Sequence, residues 1–106
     1  MFRTELEKRV RHLEEGLTQF NGLDWIIKVG EIAEIKGAVL DMTAETEAYC
    51  AQTVTTRNLQ RLDVVIRTAT TRKTNGHLAF QKAYGTLRTW LTPALPGERR
   101  IGKLSD

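Results

Sequence analysis

One cysteine, two prolines and seven aromatic residues are all that this 106-residue chain holds of those types. A lone cysteine, Cys50, excludes an internal disulfide and points to a reducing compartment. With so few aromatics, any core leans on Leu, Ile, Val and Ala, which favours helix-on-helix packing over an aromatic-rich β-sandwich. Between Gly37 and Gly76 neither glycine nor proline interrupts the chain. No apolar run approaches the roughly 20 residues that span a bilayer. The opening MFRTELEKRVRHLEE is charged where a secretory signal needs an apolar stretch. The expected location is cytoplasmic, or inside a large particle assembled within a cell.

Several chemistries lack their residues. There is no Walker A sequence and no GxGxxG, so nothing cradles a nucleotide phosphate. His12, His77 and Cys50 stand far apart without ligand spacing, so no metal and no cofactor are expected. Neither Cys50 nor Ser105 sits in a Gly-rich nucleophile elbow. Glu31 with Glu34, and Asp41 with Glu45, have the helical spacing that a divalent ion or an acid/base pair would use. Solvated acidic faces share that spacing, and the Glu-x-x-His pattern of di-iron bundles is missing. The expectation is a protein that is not an enzyme.

What is present is ordinary for a folded domain: 41% hydrophobic and 27% charged residues. The charge is split. Residues 1–56 carry six Lys and Arg against ten Asp and Glu, and residues 57–106 carry ten against three. Such a chain can neutralise itself internally or between copies, or present its basic half to phosphates or an acidic protein.

Leu6, Val10, Leu13, Leu17 and Phe20 recur at spacings of four, three, four and three, one face of a helix. Thr4 and Glu7 have capping-box spacing, Gly16 weakens the helix, and Asn21-Gly22 ends it. Asp24 can cap a second helix in which Ile26, Val29, Ile32, Ala33, Ile35, Val39 and Leu40 form the apolar stripe. Lys28, Glu31, Glu34 and Lys36 would face away. The run AVLDMTAETEAY also suits a helix, giving an antiparallel helical hairpin from residue 4 to about 50.

TVTTR at 53–57 is echoed by TATTR at 68–72, two copies that do not make a repeat architecture. Leu59, Leu62, Ile66 and Ala69 fit a helical face, as do Phe80, Tyr84, Leu87 and Leu91. The competing reading is a β-hairpin turning at Asn75-Gly76, a strong short-range turn signal. Pro93 stops the last element, and PALPGERRIGKLSD reads as a tail. The expected fold is therefore all-α: a small helical bundle built on the N-terminal hairpin, residues 1–92, with an extended tail, residues 93–106. The alternative is α+β.

The function expected is assembly. The ridge Leu6, Val10, Leu13, Leu17 and Phe20, with Leu95, Ile101 and Leu104 of the tail, would meet another copy or a larger complex. Compact helical hairpins with charged, Arg- and Thr-rich ends occur among small accessory proteins of phage particles and other large assemblies, so a structural role in a virion-like body is one expectation. The alternative is a nucleic-acid-binding accessory protein using Arg57, Arg61, Arg67, Arg72 and Lys73 of the basic half. Trp25 and Trp90 are expected to pack at the ends of the bundle, or to anchor a partner if exposed.

Overall fold

A computed structural model describes residues 1–71 and 76–95. Five α-helices follow one another: α1 Phe2–Glu14, α2 Gly22–Leu40, α3 Ala44–Ala51, α4 Thr56–Thr71 and α5 Gly76–Trp90, with 3-10 segments at Glu15–Gln19 and Thr92–Ala94. No strand occurs among the described residues. The fold is all-α: in place of hairpin strands, the described residues before and after 72–75 form the helices α4 and α5.

The core forms where the helical stripes converge. Leu6, Val10 and Leu13 of α1 lie under α2, α4 and α5. Leu62, Ile66 and Ala69 of α4 face Phe80, Ala83 and Leu87 of α5, and Ile32, Ile35 and Val39 of α2 complete the packing. α1 and α2 run antiparallel, with Lys36 reaching Glu14 at 3.4 Å. α2 and α5 run in the same direction, since Lys28 bonds Gln81 while Glu34 meets Tyr84 and Arg88 further along both helices.

Several helix ends differ from expectation. α1 begins at Phe2 with no side-chain cap, and Glu7 pairs with Arg3 at 3.2 Å instead of closing a box with Thr4. The Arg3 amide, an orphan of the first turn, donates to Glu47 of α3 at 2.9 Å. Asp24 lies inside the first turn of α2, with Asn21 at the cap position. Gly22 has φ +57°, the left-handed conformation that glycine adopts without strain.

The run AVLDMTAETEAY does not stay helical. Thr43 and Thr46 form a capping box, the Thr46 amide donating to the Thr43 hydroxyl at 3.2 Å and the Thr43 amide to the Thr46 hydroxyl at 2.9 Å. This box starts α3 afresh after α2 ends at Leu40.

The two threonine runs have different fates, so the echo is no repeat. Thr53 to Thr55 lie in the α3–α4 connection, where the Thr55 hydroxyl accepts from the Asn58 amide. Thr68, Thr70 and Thr71 sit in the last turns of α4, their hydroxyls donating back to Val64, Ile66 and Arg67 carbonyls. That back-bonding lets β-branched residues occupy a helix. At the far end, Pro93 stands in a 3-10 turn and Leu95 is buried.

Candidate interaction surfaces

The N-terminal ridge is consumed inside the chain. Leu6, Val10, Leu13 and Phe20 are buried in the protein's own core and Leu17 is half-buried against it. Leu95 is buried as well. Ile101 and Leu104, with Arg72 and Lys73 of the basic half, lie outside the described residues.

The polar groups singled out earlier are also dispersed. Glu31 pairs with Lys28 at 3.1 Å. Glu34 accepts from the Tyr84 hydroxyl at 2.5 Å and pairs with Arg88 at 3.3 Å. The two carboxylates thus have separate partners instead of one shared site. Asp41 and Glu45 are divided by the helix break at Met42–Thr43. Cys50 is buried, and burial, aided by the Glu47 charge, pushes its thiol above the ordinary value. His77 stacks on Phe20 with ring centroids 4.5 Å apart, and His12 is exposed on α1. No group of three metal-ligating side chains converges among the described residues.

Two surfaces stand out among the described residues. The first is the outer face of α2. Leu23 is 71% exposed, Ile26 62%, Leu40 58%, Ile27 48% and Trp25 45%. Between them Gly30 and Ala33 are exposed and Gly37 is half-exposed. Of the four side chains expected to face water, Glu34 and Lys36 do, whereas those of Lys28 and Glu31 are largely covered, and Lys28 lies over the Phe20 ring at 5.7 Å. Trp25 therefore does not pack in the core as expected, whereas Trp90 does lean on it.

The second surface is an open groove between α4 and α5, lined by Asn58, Arg61, Lys82, Thr86 and Trp90. Asp63 is the one acid in residues 57–92, and it is already taken. Arg9 of α1, itself buried, grips it at 2.8 and 3.0 Å while also holding Glu5 at 3.0 Å. Burial alone would lower the Arg9 guanidinium. Its hydrogen bonds to Glu5 and Asp63, and their charges, outweigh burial and raise it. The hydrogen bond from Arg9, backed by its charge, lowers the Glu5 carboxyl in turn.

Among the described residues no carboxylate meets Arg57, Arg61, Arg67 or Lys82. Arg61 and Lys82 line the groove, with Arg57 one turn from Arg61. Arg67 sits six residues past Arg61, about 120° away around the α4 axis, so it does not share that face. The expected basic set is thus divided.

No protein-family model, curated protein or solved structure matches this chain. The reading of function rests on the surfaces alone. Among the described residues no helix is long and apolar enough to cross a membrane, so the exposed side of α2 does not mark a membrane span.

The Tyr84–Glu34–Arg88 cluster ties α2 to α5 beneath that exposed side, and it carries a pH signature. Burial, then the hydrogen bond to Glu34 and the charges of Glu34 and Glu31, push the Tyr84 phenol up to about 12. The folded state thus favours the neutral phenol. Its contribution to stability is complete below the ordinary value of 10.0 and is lost as pH climbs toward about 12. Thermal melts recorded over that window should fall more steeply for the native chain than for Tyr84→Phe. Absorbance titration of the phenolates should lose its highest step in the same variant.

A single apolar stripe does not account for α2. Residues 22–40 hold Leu23, Trp25, Ile26, Ile27, Val29, Ile32, Ala33, Ile35, Ala38, Val39 and Leu40, more apolar residues than a single face accommodates. That surplus was the available signal.

Proposed function

We propose that this chain is a non-enzymatic assembly protein that docks onto another macromolecule through the outer face of α2. One observation carries the reading: Leu23, Ile26, Ile27 and Leu40 are exposed along one side of α2, with Trp25 exposed at its N-terminal end. Scattered exposed hydrophobes are ordinary, but a contiguous group beyond a few hundred Å² marks an interaction site. Trp and Ile in such a group are the kind of anchors that interfaces use. The setting is a larger protein assembly inside a cell.

A photo-crosslinking amino acid tests this in the full chain, expressed in its native source. Placed at Ile26 or Ala33, it is expected to give discrete protein adducts, and placed at exposed Lys8 it should give none. Equal yields from all three positions would defeat the proposal. The basic groove favours a second reading, nucleic-acid contact, because Arg9 removes the local carboxylate and leaves cations beside Trp90. The same label at Arg61 reports on it: a nucleic-acid adduct there, with none at Ile26, would move the function to the groove.

A further inference from the structure

We propose that the occupant of the α2 outer face is the same face of a second copy, the two helices running antiparallel about a two-fold axis between Glu31 and Ile32. This rests on reading that face as a docking surface. Leu23, Ile26, Gly30, Ala33, Gly37 and Leu40 follow one another at spacings of three, four, three, four and three, the seam of a two-helix pairing. All six lie on the uncovered side of α2.

The sizes along this seam are self-complementary. A two-fold axis at its centre sets Leu23 against Leu40 of the second copy, Ile26 against its Gly37 and Gly30 against its Ala33. Each large residue then meets a matching end or a gap, and small residues at the centre let the backbones approach closely. An isologous interface requires this reciprocity, in which residue i meets j and j meets i.

Gly30 and Gly37 supply a separate argument. A Cβ added at either position would meet nothing within 4 Å. Packing within the chain therefore does not require glycine there, yet each weakens the helix by about 0.5–1 kcal/mol relative to alanine. Close approach of a second helix accounts for both.

Parallel pairing fits worse. It would bring Glu34 level with Glu34 and Asp41 level with Asp41 of the second copy, and align the two helix dipoles. In the antiparallel arrangement Glu34 lies level with Val29, and Lys36 with Ile27, so no charge faces its like. The seam is also nearly neutral, with Lys36, Glu34 and Asp41 at its margins, so no strongly charged partner is called for.

Leu23, Ile26, Ile27 and Leu40 together expose roughly 450 Å² per copy, so pairing hides at most about 900 Å² in total, the size of weak, transient interfaces. The dimer is accordingly expected to be concentration-dependent, with Kd on the order of micromolar.

Sedimentation equilibrium on the whole chain, from low micromolar to near-millimolar protein, is the first measurement. The mass should rise from 12.0 kDa toward twice that value. Ala33→Glu should raise the dimer dissociation constant about 100-fold or more by burying an unpaired charge, with its thermal melt as a monomer unchanged. Gly30→Ala is the second variant: it should strengthen the isolated helix and still weaken the dimer.

Spin labels at Asp24→Cys, in a Cys50→Ala background, report direction. Antiparallel pairing separates the two labelled positions by about 22 Å along the axis, while parallel pairing brings them level. A chain that stays monomeric, a dimer indifferent to Ala33→Glu, or level labels would each overturn the pairing. Docking itself could still stand after such a result: adducts at Ile26 to a different protein would keep it, and their absence would end it.

Discussion

Phe80→Ala is expected to lower the stability of the fold by about 3–5 kcal/mol, the usual loss for truncating a fully buried aromatic. Phe80 has no exposed surface and is the largest of the fully buried side chains. Its ring meets Phe20 edge-on with centroids 5.1 Å apart, lies 6.0 Å below the Lys28 ammonium, and approaches Gly16 from α5. Three elements besides α5 itself therefore border the cavity that alanine would leave: the 3-10 segment, α2 and α4. Filling it would require all three to move together, which closely packed interiors resist.

Against a total stability of about 5–15 kcal/mol, a loss of this size brings the variant close to unfolding. Urea denaturation monitored by helical circular dichroism measures it as a shift of midpoint at unchanged slope. Phe80→Leu is the control and should lose less than Phe80→Ala, since more of the volume remains. A loss under 1 kcal/mol for Phe80→Ala would contradict the placement of that ring at the centre of the core.

The helical class and most of the core were legible in the sequence because the stripes are clean. Leu6, Val10 and Leu13, then Leu62, Ile66 and Ala69, then Phe80, Leu87 and Leu91 each occupy one face at helical spacing, and all nine are buried. What the spacing could not say was who covers each stripe. The N-terminal ridge reads equally well as core or as interface, and α4 with α5 settles that it is core. In α2 the ambiguity ran the other way, because an apolar residue on the outer face and one on the inner face carry the same periodic signal. Ile26 and Leu40 were grouped with Ile32 and Ile35, although the two sets point in different directions. The start of α3 was hidden for another reason: threonine can cap a helix or sit inside one, and only Thr46, three residues beyond Thr43, marks the box.

The basic half shows the same limit in charges. Asp63 looks like a token counter-ion when cations are counted along the chain. In the fold it belongs to Arg9, fifty-four residues away, through one hydrogen bond and a close ion pair that hold α1 on α4. Net charge by segment located the excess of cations and said nothing about which of them remain open to a partner.

Gly16→Leu is expected to destabilise the protein by about 1–3 kcal/mol, and the step from Gly16→Ala to Gly16→Leu is the informative part. The glycine was first legible only as a weak point in α1. Its position gives a reason for it: the chain tightens into a 3-10 turn and passes between α4 and α5, where a Cβ would stand 3.2 Å from the Ala69 carbonyl oxygen and 3.2 Å from the Phe80 ring. The carbonyl is backbone of α4, already accepting a hydrogen bond from the Gln19 side chain, so it can give little.

Alanine at this site demands a shift of a few tenths of an ångström, which the Phe80 ring can share. Leucine adds three more carbons to the same gap, and the neighbours that can yield are the ring that closes the core and the Gln19 side chain, 3.4 Å from the added Cβ. The two substitutions should therefore differ by more than their helix propensities, which are close. Chemical denaturation of both variants measures the difference. If leucine were tolerated as well as alanine, the segment Glu15–Gln19 would not be wedged between α4 and α5, and the path by which α1 hands the chain to α2 would have to be redrawn.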